Sequence, residues 1–255
     1  MKEFKVYIPK VNIAGIPIFA GRFSDAIHLV LYNLDKAKNL CISATGAHGI
    51  VHSNDHIKFK KVLQSFYLNL PDGMPNVWIG KLKGKKNAER CYGPDFFADL
   101  LKATSNKNIN HFFCGGKEDV ASKLKSACEN KFGNYNIVGT FSPPFLPIDQ
   151  YDYAQIAEKI TNYKTDIVWI GISTPKQEQF AYHLSKHTKV KYIITVGAAF
   201  DFHIGAIKQA PSWIQKIGME WFFRLLVEPK RLFKRYFYIV PKYIYLNLLD
   251  FIKFA

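Results

Sequence analysis

Short apolar runs rich in β-branched and aromatic residues alternate along this chain with stretches whose apolar residues recur at helical spacing. That alternation constrains the fold more than any other feature. The runs are Leu40–Ala44, Phe66–Leu70, His111–Cys114, Asn136–Phe141, Asp166–Ile172 and Tyr192–Ala198. Most are apolar on successive residues, as strands buried on both faces are. Between them, Phe23, Ala26, Ile27, Val30, Leu31 and Leu34 keep one helical face, with Ser24 near the start as a candidate cap. Similar stripes begin at Phe59, Phe97, Val120, Ile156 and Phe180. The rhythm predicts an α/β fold: a mostly parallel sheet flanked by helices, with ligands bound beyond the carboxyl ends of the strands.

The length, 255 residues, suits one such domain with an appendage. Residues 1–221 carry the alternation. Residues 222–255 change character: they hold seven Lys/Arg, two acidic residues and ten aromatics, and Pro229 and Pro241 are expected to break them into short pieces. The whole chain has a formal net charge of +15, which points to a polyanionic partner: nucleic acid, anionic lipid or a phosphorylated substrate. The four cysteines form neither a CxxC pair nor a zinc spacing and read as buried apolar residues of a cytosolic protein. No secretory signal is visible at the N-terminus, and no apolar stretch reaches the roughly 18 residues that span a bilayer. Membrane contact is therefore expected to be peripheral.

Five segments carry candidate chemistry. In Leu70-Pro71-Asp72-Gly73-Met74 a carboxylate follows a strand, between a rigid and a permissive residue. Apolar surroundings would raise its pKa and make Asp72 a competent base for a hydroxyl, although Pro-Asp-Gly is also a common turn triplet. Ser43 to Gly49 places two glycines and a hydroxyl where a strand meets a helix, and His48 there reads as a structural hydrogen-bonder. Gly171 to Glu178 opens a helix whose start, with Lys176 and Gln177, suits a diphosphate. In Val196 to Gly205, Asp201 follows small residues and is placed to meet a ribose or base, or to be a buried structural acid. Arg224, Arg231 and Lys234, spaced by seven and three, fall on one side of a helix and could hold a leaving diphosphate, while interleaved aromatics suit a membrane interface. No Asp-x-Asp pair occurs to clamp a nucleotide-bound metal, and no HExxH or GxSxG appears.

Taken in order, Thr45-Gly46-Ala47, Pro71-Asp72-Gly73, Glu89-Arg90 with Tyr92-Gly93-Pro94-Asp95, Phe113-Cys114-Gly115-Gly116, Pro175-Lys176-Gln177-Glu178, Phe200-Asp201-Phe202 with Ala210-Pro211, and Glu220-Trp221 with Arg224, Glu228-Pro229 and Arg231 resemble the WecG/TagA/CpsF glycosyltransferase family. The resemblance implies a Rossmann-like fold and inverting transfer of a sugar, without metal or other cofactor, from a UDP-sugar to a lipid-linked acceptor, often an undecaprenyl-diphosphate sugar. It implies Asp72 as general base, Thr45 as a sugar contact, Arg90 as a site arginine, Gln177 and Asp201 as nucleotide contacts, and Arg224 and Arg231 as arginines of a C-terminal appendage that closes the site at the membrane. Three departures stand out. Ala47 replaces an asparagine, removing an amide contact to the donor sugar; Ser173 replaces a glycine; and Lys234 stands where an arginine is expected.

The expectation is thus a peripheral enzyme on the inner face of a bacterial plasma membrane, building cell-surface polysaccharide. Its partners would be a UDP-sugar, a polyprenyl-diphosphate-linked acceptor and an anionic membrane, with a homo-oligomer left open. The competing readings are a non-catalytic nucleotide-binding module and a nucleic-acid binder. The latter rests on charge alone, because no nucleic-acid recognition motif accompanies it.

Overall fold

The computed structural model describes residues 7–116 and 119–254. An antiparallel hairpin comes first, β1 (Lys10–Ile13) and β2 (Ile16–Phe19), and was not foreseen from the sequence. Its two-residue turn puts Ala14 at φ 49° and Gly15 at φ 87°, the two positive dihedrals of the turn type that suits a twisted hairpin. Ala14 gives little warning of this, since a side chain at positive φ is uncommon.

There follow α1 (Phe23–Tyr32), β3 (Leu40–Thr45), α2 (Ala47–Asp55), α3 (Ile57–Ser65), β4 (Leu68–Pro71), α4 (Met74–Leu82), α5 (Gly93–Thr104), β5 (His111–Gly115), α6 (Val120–Phe132), β6 (Ile137–Phe141), α7 (Tyr153–Asn162), β7 (Ile167–Gly171), α8 (Lys176–Leu184) and β8 (Tyr192–Thr195). Four more helices close the chain: α9 (Ala199–His203), α10 (Ser212–Lys216), α11 (Glu220–Val227) and α12 (Pro229–Phe254). The six strands from β3 onward form one parallel sheet in the order β4-β3-β8-β7-β5-β6. All six predicted strands are present, with ends shifted by up to three residues. Phe66, placed in a strand by its apolar neighbours, caps the end of α3 instead.

Strand pleating sorts the core. Ile167 and Trp169 of β7 point into the layer built by α1, α5, α6 and α9, while Val168 and Ile170 point into the layer built by α3, α7 and α8. Both faces are buried, which is why these strands read as continuous apolar runs. A third cluster joins the hairpin to α2, α3, α4 and α12.

Two local expectations need correction. Ser24 does not cap α1: the cap position is Arg22, whose N–H donates to the Asp25 carboxylate at 3.0 Å. Pro229 breaks the tail between α11 and α12, as expected, but Pro241 does not break it. Pro229 starts α12, where its missing N–H costs nothing, and Pro241 lies inside the continuous helix. Residues Phe237 and Pro241 are both exposed, so the carbonyl that loses its partner lies on the outer side. The inner side is well anchored. Ile239 and Tyr243 are buried, the Tyr243 hydroxyl donates to Asn76 Oδ1 at 2.7 Å, Asp55 accepts from Tyr238 and pairs with Lys242, and Asp250 accepts the Ala14 N–H. Those contacts outweigh a proline penalty of about 3 kcal/mol.

Candidate functional site

The carboxyl ends of β4, β3, β8 and β7 lie side by side, and each leads into a helix start. Asp72 is the first residue beyond β4. Its N–H donates to the Thr45 carbonyl of β3 at 3.3 Å. The loop between α4 and α5 then folds back over it. Arg90 Nε donates to the Asp72 carbonyl at 2.7 Å, Cys91 N–H to the Pro71 carbonyl at 2.9 Å, and Gly93 N–H to Asp72 Oδ1 at 2.8 Å. A Cβ on Gly93 would lie 3.1 Å from both Ala44 Cβ and the Val196 carbonyl, so glycine lets the loop close this tightly. Burial pushes the Asp72 pKa up to about 6, and Glu220 pushes in the same direction; Arg90, the Gly93 N–H and Arg224 hold it back. A carboxylate with such a pKa is suited to accept a proton near neutrality.

Two cavities meet at Asp72, sharing Gly46, His48, Asp72, Arg224 and Tyr236 in their walls. One, of about 560 Å³, is polar. It is floored by the β7–α8 and β8–α9 turns and rimmed by Arg224, Arg231 and Arg235. The other, of about 790 Å³, is a predominantly apolar cleft between α4 and α12, lined by Trp78, Ile79, Leu82, Val240, Ile244 and Leu248 among others. Three guanidiniums on one rim repel one another. Burial and the neighbouring arginines lower the Arg235 pKa, and Glu228, held low by its close ion pair with Arg231, offsets part of the charge. Such a rim suits a multivalent anion, which guanidinium forks bind two oxygens at a time.

Several sequence candidates gather here. Asp72 and Arg224 line both cavities, and Gln177, Asp201 and Arg231 line the polar one. The Gln177 amide is already engaged: Oε1 accepts from Gly197 N–H at 3.0 Å, and Nε2 donates to Glu178 and Thr174. It therefore shapes the cavity floor. Arg90 lines the apolar cleft at its inner end. Others are elsewhere. Thr45 is buried and its hydroxyl turns inward to Ser43 and Asn69. Lys176 lies over the Phe145 ring, 4.0 Å from its centroid, and does not line the polar cavity. Lys234 is exposed outside both cavities. Pro229 starts a new helix, so spacing across Arg224 and Arg231 does not define one face. The docked face of α12 runs through Leu232, Ile239 and Tyr243; Lys234 is about 200° from Leu232, whereas Arg235 and Tyr236 fall inside.

Tyr92, Glu220, Arg235 and Tyr236 also stand here; the sequence assigned none of them a role, although Tyr92 and Glu220 lie in its motif segments. His48, read there as structural, makes no hydrogen bond among the described residues and lines both cavities; burial, Arg235 and His52 lower its pKa to about 4, so it stays neutral. No group of three or more His, Cys, Asp or Glu able to hold a metal ion occurs among the described residues.

Comparison with known proteins places these features in context. The model of the family described as the glycosyl transferase WecG/TagA/CpsF family matches residues 11–254. A Bacillus subtilis (strain 168) protein named N-acetylglucosaminyldiphosphoundecaprenol N-acetyl-beta-D-mannosaminyltransferase is 33% identical over 183 residues, covering 71% of this chain and 68% of the relative. The protein of the same name from Bacillus spizizenii (strain ATCC 23059 / NRRL B-14472 / W23) is 29% identical over 218 residues, covering 85% and 82%.

Proposed function

This chain belongs to the WecG/TagA/CpsF glycosyltransferase family, and from that premise we propose that it transfers one sugar from a UDP-sugar to a polyprenyl-diphosphate-linked N-acetylglucosamine, with inversion and without a metal. The observation that carries the reading is the position of Asp72, where an arginine-rimmed polar cavity opens into an apolar cleft. A nucleotide sugar fits the first cavity by charge and an acceptor on a lipid tail fits the second by polarity. The two relatives are named for such an acceptor. The nucleic-acid reading rests on charge alone and finds no support in the family.

In this reading Asp72 takes the proton from an acceptor hydroxyl as its oxygen attacks the anomeric carbon. The bond to UDP breaks on the opposite face. Arg224, Arg231 and Arg235 meet the charge that develops on the diphosphate, the type of stabilisation worth about 3–4 kcal/mol per donor in a closed site. Gln177 holds the β8–α9 turn in place and Asp201 accepts a hydrogen bond from the nucleoside. His48, neutral and facing both cavities, is available to a sugar hydroxyl. Ala47 leaves the donor sugar open.

The membrane enters through the rim of the apolar cleft. Leu82, Ile244 and Leu248 line it yet are 71%, 54% and 58% exposed. Trp213 of α10, Leu226 of α11 and Phe237 of α12 are further exposed apolar residues of the C-terminal helices. No helix among the described residues is long and apolar enough to cross a bilayer, so the reading is a monotopic surface docked on the leaflet that holds the acceptor. A panel of UDP-sugars incubated with the protein and N-acetylglucosaminyl-diphosphoundecaprenol tests it. The expected product is heavier by one hexose or N-acetylhexosamine, β-linked from an α-linked donor. No transfer from any UDP-sugar overturns the reading.

A further inference from the structure

Glu220 opens α11 and grips two residues, Arg90 and Tyr92, at the C-terminal end of the loop that closes over Asp72. Its Oε1 accepts from the Tyr92 hydroxyl at 2.9 Å, and its Oε2 forms a close ion pair with Arg90 Nη2. The other arms of Arg90 reach the Asp72 carbonyl at 2.7 Å and Gln215 Oε1 of α10 at 3.1 Å, and its guanidinium lies over the Tyr92 ring, 4.0 Å from the centroid. Gly93, next in the chain, holds the Asp72 carboxylate.

We propose that Glu220 is a positioning residue for the transfer reaction: through Arg90 and Tyr92 it ties the loop that orients Asp72 to the C-terminal helices, so the base is in register only when α11 is docked. The inference rests on Asp72 being the base. It follows that Arg90 serves as a strut rather than as a diphosphate ligand, because three of its N–H groups and its flat face are engaged within the protein. Arg224 is the counterpart. It stands four residues after Glu220 on the same face of α11, its Nε is buried without a hydrogen-bond partner among the described residues, and it lines both cavities. Docking that seats Glu220 on the loop therefore also presents Arg224 to the substrates.

The charge of Glu220 has a second effect. The groups facing Asp72 are Arg90, Cys91 and Tyr92 from the loop, Glu220 and Arg224 from α11, His48 from α2 and Tyr236 from α12. Asp201 and Glu228 line the polar cavity with Asp72, but Glu220 is the acidic group whose charge acts on it, favouring its protonated form. Removing its charge therefore lets Asp72 ionise at lower pH.

The test compares Glu220→Gln with the wild type and with Asp72→Asn, using a UDP-sugar and the lipid-diphosphate acceptor. The expected result for Glu220→Gln is a kcat loss on the order of 10²-fold and an acid limb of the pH–rate profile moved to lower pH. Glu220→Asp should restore the limb. Wild-type kcat and an unmoved limb overturn the inference, as does a lowered kcat with the limb unmoved, which marks a merely structural role. Full activity in Asp72→Asn instead sinks the base reading itself. Should Glu220→Gln fail to fold, Tyr92→Phe keeps the ring under Arg90 and removes one hydrogen bond to Glu220. A lower kcat at unchanged donor KM is then expected, and a wild-type kcat overturns the proposal.

Discussion

A carboxylate with a pKa near 6 has consequences for stability as well as for rate. In the folded protein Asp72 binds its proton until about pH 6, whereas an unfolded chain releases it near the ordinary aspartate value of 3.8. The folded state therefore holds more protons between these values, and its stability falls as pH rises through that window. Above it the buried charge costs up to about 3 kcal/mol. Asp72→Asn should thus melt higher than wild type at pH 8, with the difference gone below pH 4, as read by thermal unfolding at the two pH values. The same pKa predicts that kcat/KM rises with pH through about 6, measured on the free enzyme with subsaturating acceptor. At this scale the sequence was legible where backbone position decides the matter. Asp72 follows a strand and lies between proline and glycine, so its place at the sheet edge could be read. Thr45 shows the limit: it too stands at a strand end, but the pleat turns its hydroxyl into the core, and no local signal announces that. The cysteines were readable as buried. Burial pushes Cys41, Cys114 and Cys128 up to about 12 and raises Cys91 as well, so native protein should resist a thiol reagent that titrates all four after denaturation.

Helix faces decide the cationic rim. Arg235 lies on the docked side of α12 and Lys234 points away, although they are neighbours in sequence. Arg235→Ala should weaken UDP-sugar binding by about 10-fold or more, the loss of a charged hydrogen bond worth about 1.5–3 kcal/mol. Lys234→Ala should leave it close to wild type and reduce binding to anionic vesicles; calorimetry with the donor and vesicle sedimentation separate the two effects. The sequence located the arginine cluster but not its face, because Pro229 resets the helical phase and the buried stripe of α12 became visible only once Leu232, Ile239 and Tyr243 were seen packed. The parallel sheet was legible for the opposite reason: strands buried on both faces advertise themselves as apolar runs. The β1–β2 hairpin was not, since a turn built on Ala14-Gly15 lacks the usual Asn-Gly or Asp-Gly signal.

The molecule as a whole brings a polar, positively rimmed chamber and an apolar cleft together at one carboxylate. The sheet fixes the carboxylate, the loop over it fixes its direction, and the C-terminal helices complete both walls. In the proposed function, one surface serves the donor's charge, the acceptor's lipid and the membrane, in keeping with a net charge of +15 and an aromatic-rich tail. Kinetics of Asp72→Asn, with a UDP-sugar and N-acetylglucosaminyl-diphosphoundecaprenol as substrates, test that account most directly. The account predicts a folded protein that still binds the donor and transfers sugar about 10²–10⁴-fold more slowly; turnover at the wild-type rate would contradict it.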